Sequence, residues 1–348
     1  MLRLLNRATF RQQCRQRLTN ETCLRTRLHA SQLIIRYDSR QHRSFGAIPT
    51  ILLPPVVFGG LVIALWTWKC FMMIIFQNKI IYMPGLPPNS RRETISEYHN
   101  QCGGIQWREE RIKSLDGTRI SLVTFPFQSD ALAALMRGLE PQAPTFPSRR
   151  PSEKGIAKDA AAALQWIKQD HGSQNSVASQ EEEIPVVIWG QSIGAGVATT
   201  LSADQKLFSD GLALKTLILE TPFLSIRAML ETLYPQKWLP YRYLWPFLRN
   251  HLDSWQALGR VKHGFGSKAP RVLILEAARD ELVPSSHGEE LEKRCLEVRL
   301  DVQKRVIDGA LHTEVMVRQE GLLAVVGAIQ TVAQGTHPQD RKVPNSRD

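Results

Sequence analysis

The segment 186–196, VVIWGQSIGAG, runs from apolar residues through a glycine and a serine into two further glycines. The apolar run predicts a buried strand, and the residues after the serine, GAGVATTLSADQ, predict a helix. The pattern GxSxG is formed here by Gly190, Gln191, Ser192, Ile193 and Gly194. A nucleophilic serine on a sharp strand-to-helix turn has strained backbone angles, and glycine neighbours allow the turn to close. The alternative is a glycine-rich turn that serves close packing alone.

A serine nucleophile needs a general base, and the base needs an acid that orients it. Asp280 follows the apolar run RVLILEA, and His312 follows the run DVQKRVI. In a parallel sheet the loops after the strands meet at one edge, so the order Ser192, Asp280, His312 predicts a catalytic triad there. The backbone amide of Ile193 is predicted to stabilise a developing oxyanion at the helix N-terminus.

Two other residues compete for the roles of base and acid. His287 is the alternative base, although it lies only seven residues beyond Asp280 and is predicted to begin a helix. Asp308 follows the last predicted strand and is the alternative acid. The remaining histidines lie in the terminal segments, ahead of the sheet, at the end of a surface helix or among the residues between two strands.

Repeated apolar runs predict an α/β fold. PVVIWG, TLILE and RVLILEA are too continuously apolar for half-exposed strands, and helical patterns separate them. Such runs are typical of a mostly parallel sheet with helices on both faces. Alternating segments around Asp116 and Gly117 predict an antiparallel hairpin of about residues 106–113 and 119–125. Helices are predicted at about 130–139, 156–172 and 313–332.

An apolar segment near the N-terminus predicts a membrane anchor. Residues 47–76 contain one charged residue, Lys69. About 20 apolar residues cross a bilayer as a helix, and proline suits a first helical turn, so we predict a single transmembrane helix over Val56–Phe76, after Pro54 and Pro55. The alternative is a buried core helix. The cations on either side weakly favour a cytoplasmic N-terminal side.

The positive charge of the chain is concentrated at its N-terminus. Residues 1–45 contain ten arginines, no lysine and two acids, which gives +8 of the net charge of +11. This segment resembles a mitochondrial presequence; the alternative is a disordered basic tail before a signal anchor of the endoplasmic reticulum. Without a recognisable binding motif, we predict no nucleic-acid partner. Residues 336–348 are predicted to be a disordered C-terminus.

The cysteines and histidines do not indicate a metal site. Five cysteines lie far apart, without a CxxC pair or a metal-like spacing to histidine: 14, 23, 70, 102 and 295. We predict no zinc site, no disulfide framework and no cofactor. The segment 221–262 is rich in Trp, Tyr, Phe and Pro. It is predicted to form a lid-like insertion that covers an acyl-like substrate; ordinary helix packing is the alternative.

Several motifs occur together in order, namely NKIIYMPGLPP, WGQSIGAG, ETPFLSI, ARDELVP and GALHTEV. Over residues 77–335 the chain resembles the membrane-anchored α/β-hydrolases of the Bem type, the relatives of α/β-hydrolase domain-containing protein 13. The resemblance implies an α/β-hydrolase domain and a serine hydrolase that cleaves ester or thioester bonds. It also implies that Ser192, Asp280 and His312 are the triad and that the substrate is a lipid or a lipidated protein.

The chain departs from that family between the hairpin and the helix at 156–172. Members carry two central strands there, and the loop after the first supplies the second oxyanion amide. This sequence has VTFPFQSDALAALMRGLEPQAPTFPSRRPSEKG instead, without an apolar β-run or a Gly-rich loop. An incomplete sheet and a half-built oxyanion hole are therefore expected; one lost donor costs about 10²- to 10³-fold in rate. A non-catalytic membrane protein, from a truncated splice form or gene model, is the rival hypothesis.

Overall fold

The structure is a computed structural model of the 348-residue chain. It describes residues 50–83, 108–124, 151–174, 183–209 and 211–334. The chain divides into two compact units, residues 1–57 and 58–348. The described part of the first unit holds a 3-10 turn, Thr50–Leu52, and the start of helix α1. Three predicted segments lie outside the described residues: the basic segment 1–45, the helix at 130–139 and the C-terminus 336–348.

Helix α1 is the apolar helix that the sequence predicted. It spans Leu53–Ile75, three residues earlier than expected at its start, and Pro54 and Pro55 lie in its first turn. Proline is tolerated there because the first helical N–H groups have no intrahelical partner. None of its residues is buried, and the helix is long and apolar enough to cross a membrane. Helix α2, Gln77–Tyr82, follows it directly.

The central sheet is parallel, as the continuous apolar runs predicted. Within the described residues this sheet has four strands, which pair in chain order: β3 (Ile184–Gln191), β4 (Leu212–Glu220), β5 (Arg271–Ala277) and β6 (Val302–Ile307). Because all four strands point the same way, their carboxyl ends meet at one edge of the sheet. This edge carries the loops of all three predicted catalytic residues.

The hairpin is also present. Strands β1 (Arg108–Lys113) and β2 (Arg119–Thr124) pair antiparallel around a turn in which Gly117 takes a positive φ of 82°. Among the described residues the hairpin forms a two-stranded sheet of its own. Residues 125–150, where two central strands were expected to be missing, lie outside the part of the chain that the structure describes. The incomplete sheet therefore stays a prediction.

Six helices follow the hairpin within the described residues: α3 (Glu153–Gln174), α4 (Ile193–Ser202), α5 (Ile226–Leu233), α6 (Ser254–Phe265), α7 (Ser285–Glu297) and α8 (Gln319–Ala333). The prediction that the last helix begins at residue 313 was wrong. A 3-10 turn at Val315–Val317 comes first, and Arg318 is extended, with φ −83° and ψ 134°. The Glu314 carboxylate accepts hydrogen bonds from the Leu311 N–H and the Arg318 guanidinium, which stabilise this turn.

Two apolar layers cover the sheet. On β4, Leu217 and Leu219 point to one layer and Ile218 to the other, as the alternation of a strand requires. The first layer contains side chains of α4, α6 and α7, and the second contains side chains of α8. Both faces of β4 are therefore buried, which explains its unbroken apolar sequence.

Candidate active site

Ser192 occupies the turn between β3 and α4. Its backbone angles are φ 50° and ψ −114°, a sparsely populated conformation for a residue with a side chain. The Ser192 N–H donates a hydrogen bond of 2.9 Å to the Glu220 carbonyl, and the Ser192 carbonyl accepts from the Ala195 N–H at 3.0 Å. Such a strained turn exposes the serine hydroxyl at the carboxyl edge of the sheet.

The two glycines of the pattern differ in how strictly they are required. A Cβ atom at Gly190 would overlap the backbone of Gly194, so the turn closes only because residue 190 has no side chain. A Cβ atom at Gly194 would meet no atom within 4 Å. The expectation that both glycines allow the turn to close therefore holds for Gly190, whereas Gly194 lies beside open space.

Asp280 and His312 are hydrogen-bonded to each other. The His312 Nδ1 atom lies 2.8 Å from Oδ2 and 3.0 Å from Oδ1 of Asp280, and both side chains are more than nine-tenths buried. The Asp280 Oδ1 atom also accepts the backbone N–H groups of Leu282 at 2.9 Å and Val283 at 2.8 Å. The carboxylate is held from its own loop, so it fixes the orientation of the imidazole.

The His312 loop has its own support. The His312 N–H donates to Glu281 Oε2 at 3.0 Å, which ties the loop after β6 to the loop after β5. Glu314 lies two residues after His312. Hydrogen bonds to its carboxylate from the Leu311 N–H and the Arg318 side chain lower the pKa of Glu314. Glu314 therefore stays ionised and continues to accept both bonds at neutral pH.

His287 and Asp308, the alternative base and acid, do not take part in the contact between Asp280 and His312. His287 lies in the first turn of α7, where its Nε2 atom is 3.4 Å from the Thr232 hydroxyl. Burial lowers the pKa of His287. Asp308 is exposed, and the carboxylate that contacts the His312 ring is that of Asp280.

An apolar cavity of about 340 Å³ contains the candidate residues. Ser192, Ile193 and His312 all line it. The rest of its wall is formed by the end of α1, by α2, by the insertion and by the loop after β5. A nucleophile candidate and a base candidate thus face one space that is suited to a hydrocarbon chain. Among the described residues, no cluster of His, Cys, Asp and Glu could hold a metal ion.

Comparison with known proteins gives partial matches. No protein-family model matches the chain. It is 25% identical over 295 residues to an uncharacterized protein of Mycobacterium tuberculosis, covering 77% of this chain and 89% of that protein. It is 36% identical over 145 residues to lysophosphatidylserine lipase ABHD12 of Danio rerio and 35% over 148 residues to the lipase of Bos taurus. Each lipase match covers 40% of this chain but only about a third of the lipase.

Two esterases are among the solved structures that align with the chain. Esterase Pf2001 of Pyrococcus furiosus aligns with a TM-score of 0.46 and 16% identity, over 67% of this chain and 94% of the esterase. An esterase from Rhizomucor miehei aligns with a TM-score of 0.45 and 16% identity, over 74% of this chain and 96% of that one.

The strand order, the strained serine turn and the local identity to the lipases lead to one assignment. The chain has an α/β-hydrolase fold, a mostly parallel sheet with helices on both faces. In proteins with this fold the nucleophile, the acid and the histidine follow in that order on loops at the carboxyl edge. The narrower resemblance of this α/β-hydrolase to the Bem type stays a prediction.

Two features of the α/β-hydrolase site were not predicted from the sequence. The end of α1 and helix α2 line the cavity through Met73, Ile74, Ile80 and Ile81. The sequence had indicated only an anchor for residues 47–76 and no place in the cavity for α2. Glu281 holds the His312 backbone, although it is an ordinary acid next to Asp280 in sequence. The IIYMPG motif, which is one of the family motifs, was the only sequence signal that these residues near the anchor have a role in the fold.

Glu220 is a buried acid beneath the serine turn of the hydrolase. Its carboxylate accepts hydrogen bonds from Trp189 Nε1 at 3.0 Å and Gln191 Nε2 at 3.1 Å. Burial nevertheless raises the pKa of Glu220 to about 7, and these two bonds only partly oppose the shift. An unfolded glutamate titrates near pH 4.3, so the folded state binds this proton more tightly. The resulting stability is present at low pH and is lost as the pH rises through 7.

The stability of Glu220→Gln relative to the wild type is expected to be about 2 to 3 kcal/mol higher at pH 8 than at pH 5, because glutamine cannot carry the buried charge. The NH₂ group of glutamine cannot accept from Trp189 or Gln191, and this loss is the same at both pH values. Urea unfolding in detergent at both pH values measures the effect. Glu290→Gln, at an exposed site on α7, serves as the control and should leave the free energy of unfolding unchanged at both pH values. A Glu220→Gln effect that is the same at pH 5 and pH 8 would contradict the raised pKa.

Proposed function

We propose that the chain is a membrane-anchored serine hydrolase that cleaves carboxylic ester or thioester bonds of a lipid or lipidated substrate. The observation that carries the proposal is the shared cavity: the strained Ser192 and the Asp280-bound His312 line the same apolar space. The similarity to lipases named for lysophosphatidylserine supports an acyl-lipid substrate. Helix α1 supports attachment to a membrane.

The proposed chemistry uses groups of this chain alone. The Ser192 hydroxyl attacks the acyl carbonyl while His312 Nε2 takes its proton, and Asp280 keeps the Nδ1–H directed away from the substrate. The Ile193 N–H, the first of α4, donates to the oxyanion that develops on the carbonyl oxygen. His312 then returns the proton to the leaving alkoxide or thiolate. A water molecule, activated by His312, hydrolyses the acyl-enzyme.

A fluorophosphonate probe tests this proposal because it reacts covalently with activated serines. The full chain in detergent micelles is expected to be labelled, whereas the Ser192→Ala variant should not be. Ser209→Ala, at an exposed serine distant in sequence from the turn, is the control and should label like the wild type. Labelling of Ser192→Ala at the wild-type level would remove Ser192 from the role of nucleophile.

The rival hypothesis of a non-catalytic protein makes a different prediction in the same experiment. Folded wild-type chain would then remain unlabelled, because an ordinary serine hydroxyl is a weak nucleophile. Folding is checked separately by a cooperative thermal transition. The predicted absence of a second oxyanion donor concerns residues 125–150, and it would slow labelling without abolishing it.

A further inference from the structure

The insertion presents large apolar side chains to the outside. Trp238, Tyr243, Trp245 and Phe247 are 67%, 54%, 41% and 57% exposed, and we call these four residues the aromatic surface. Most of them lie in two 3-10 turns, Pro240–Tyr243 and Trp245–Phe247. A cluster of exposed aromatic residues marks an interaction site, and Trp and Tyr are enriched where a protein meets the membrane–water interface.

The aromatic surface lies beside the second half of α1. The rings of Trp66 and Trp238 are 5.6 Å apart, and the Lys69 Nζ atom lies 4.5 Å from the centre of the Tyr241 ring. The aromatic surface therefore meets the exposed helix α1 at Trp238. The medium that surrounds α1 at the level of Trp66 also surrounds Trp238.

Polar contacts fix the junction between α1 and the insertion. The Arg249 guanidinium donates to the carbonyls of Ile74 and Ile75 at 3.0 and 2.9 Å, where its charge also favours the helix C-terminus. The buried Gln77 side chain accepts from the Arg249 N–H at 2.7 Å and donates to the Phe247 carbonyl at 3.1 Å. The insertion is thus fixed relative to the end of α1.

The length of α1 determines how deep this junction lies in a bilayer. A hydrocarbon core of about 30 Å needs about 20 helical residues, and α1 has 23. Only 13 of these precede Trp66. If α1 crosses the membrane, about seven of the ten residues from Trp66 to Ile75 must then lie within the core. The insertion residues that contact Trp66 and Lys69 must lie at the same depth.

We propose that the aromatic surface is embedded in the lipid bilayer beside α1. Met73 and Ile74 of α1 and Ile80 of α2 form one wall of the cavity that contains Ser192. An embedded junction would place this wall against lipid, so a membrane-dissolved single-chain ester reaches the serine from the bilayer without crossing water. This inference rests on the proposed function for its substrate, whereas the embedding itself can be tested without any activity.

Photo-crosslinking tests the embedding directly. The variants Trp238→p-benzoylphenylalanine and Trp245→p-benzoylphenylalanine of the full chain are reconstituted in phosphatidylcholine vesicles and irradiated. Both should yield protein–phospholipid adducts by mass spectrometry, because the probe inserts into nearby C–H bonds. Leu296→p-benzoylphenylalanine, 63% exposed on α7, is the matched control and should yield none. No adducts at 238 and 245, or equal adducts at all three positions, would overturn the proposal.

A kinetic comparison tests the consequence for substrate access. Trp238→Asp should lower kcat/KM for a dodecanoyl ester dissolved in the same vesicles by about 10- to 100-fold, because a carboxylate at this depth is strongly disfavoured. Hydrolysis of a water-soluble acetate ester should stay within about twofold, since Trp238 does not line the cavity. Leu296→Asp should change neither rate.

The two experiments separate the inference from the proposed function. If the wild type hydrolyses neither ester, the proposed function fails while the cross-linking result still decides the embedding. If the wild type hydrolyses both esters and Trp238→Asp changes neither rate, bilayer access is wrong. If Trp238→Asp lowers both rates equally, the variant is misfolded and the cross-linking result decides alone.

Discussion

Replacement of His312 by alanine is expected to lower kcat for ester hydrolysis by about 10⁶-fold. The reason is that the Ser192 hydroxyl is a weak nucleophile unless a base removes its proton, and His312 is the imidazole on the same cavity. The kcat of the double variant Ser192→Ala, His312→Ala should be no lower than that of either single variant, because the serine and the base act as one unit. The activity of the two single variants and of the double variant is measured as the initial rate of hydrolysis of a water-soluble acetate ester.

His287→Ala is the matched control for this prediction. His287 is also buried, but it contacts Thr232 and its substitution should leave kcat within a few-fold of the wild type. A large loss of kcat in the His287→Ala variant, together with wild-type kcat in the His312→Ala variant, would assign the role of the base to His287. Equal losses in both variants would indicate a general effect on folding, which thermal unfolding of each variant would reveal.

The proximity of Asp280 and His312 could be predicted from sequence because it depends on a simple rule of parallel sheets. Asp280 follows the apolar strand β5 and His312 follows β6, and the carboxyl ends of parallel strands meet at one edge of the sheet. The serine turn was predictable for a similar local reason: Gly190 has no room for a side chain, and a buried strand precedes it. The hydrogen bond between Asp280 and His312 then follows from the order of strands β5 and β6.

Contacts between distant parts of the chain were not predictable in this way. Residues 74–77 contact residues 247–249 across about 170 positions of sequence, and no periodicity or motif indicates such a pairing. The start of α8 was missed for a related reason. The apolar pattern continues through Val315, but the Glu314 carboxylate accepts a hydrogen bond from the Leu311 N–H and closes a turn that competes with the helix.

Asp280→Asn is expected to lower kcat by about 10⁴-fold while leaving the fold intact, because the amide keeps the shape of the side chain but loses its charge. Its NH₂ group would have to face either the His312 ring or the N–H groups of Leu282 and Val283. An asparagine that keeps its oxygen on these N–H groups stabilises the wrong imidazole tautomer, with the proton on Nε2, and that nitrogen can no longer accept the serine proton.

Asp308→Asn is the matched control for Asp280→Asn, since Asp308 is the alternative acid that the sequence offered and it is exposed. Its kcat should stay within about threefold of the wild type, as expected for a surface change away from the reacting groups. An unchanged kcat in Asp280→Asn, together with a large loss of kcat in Asp308→Asn, would transfer the role of the acid to Asp308.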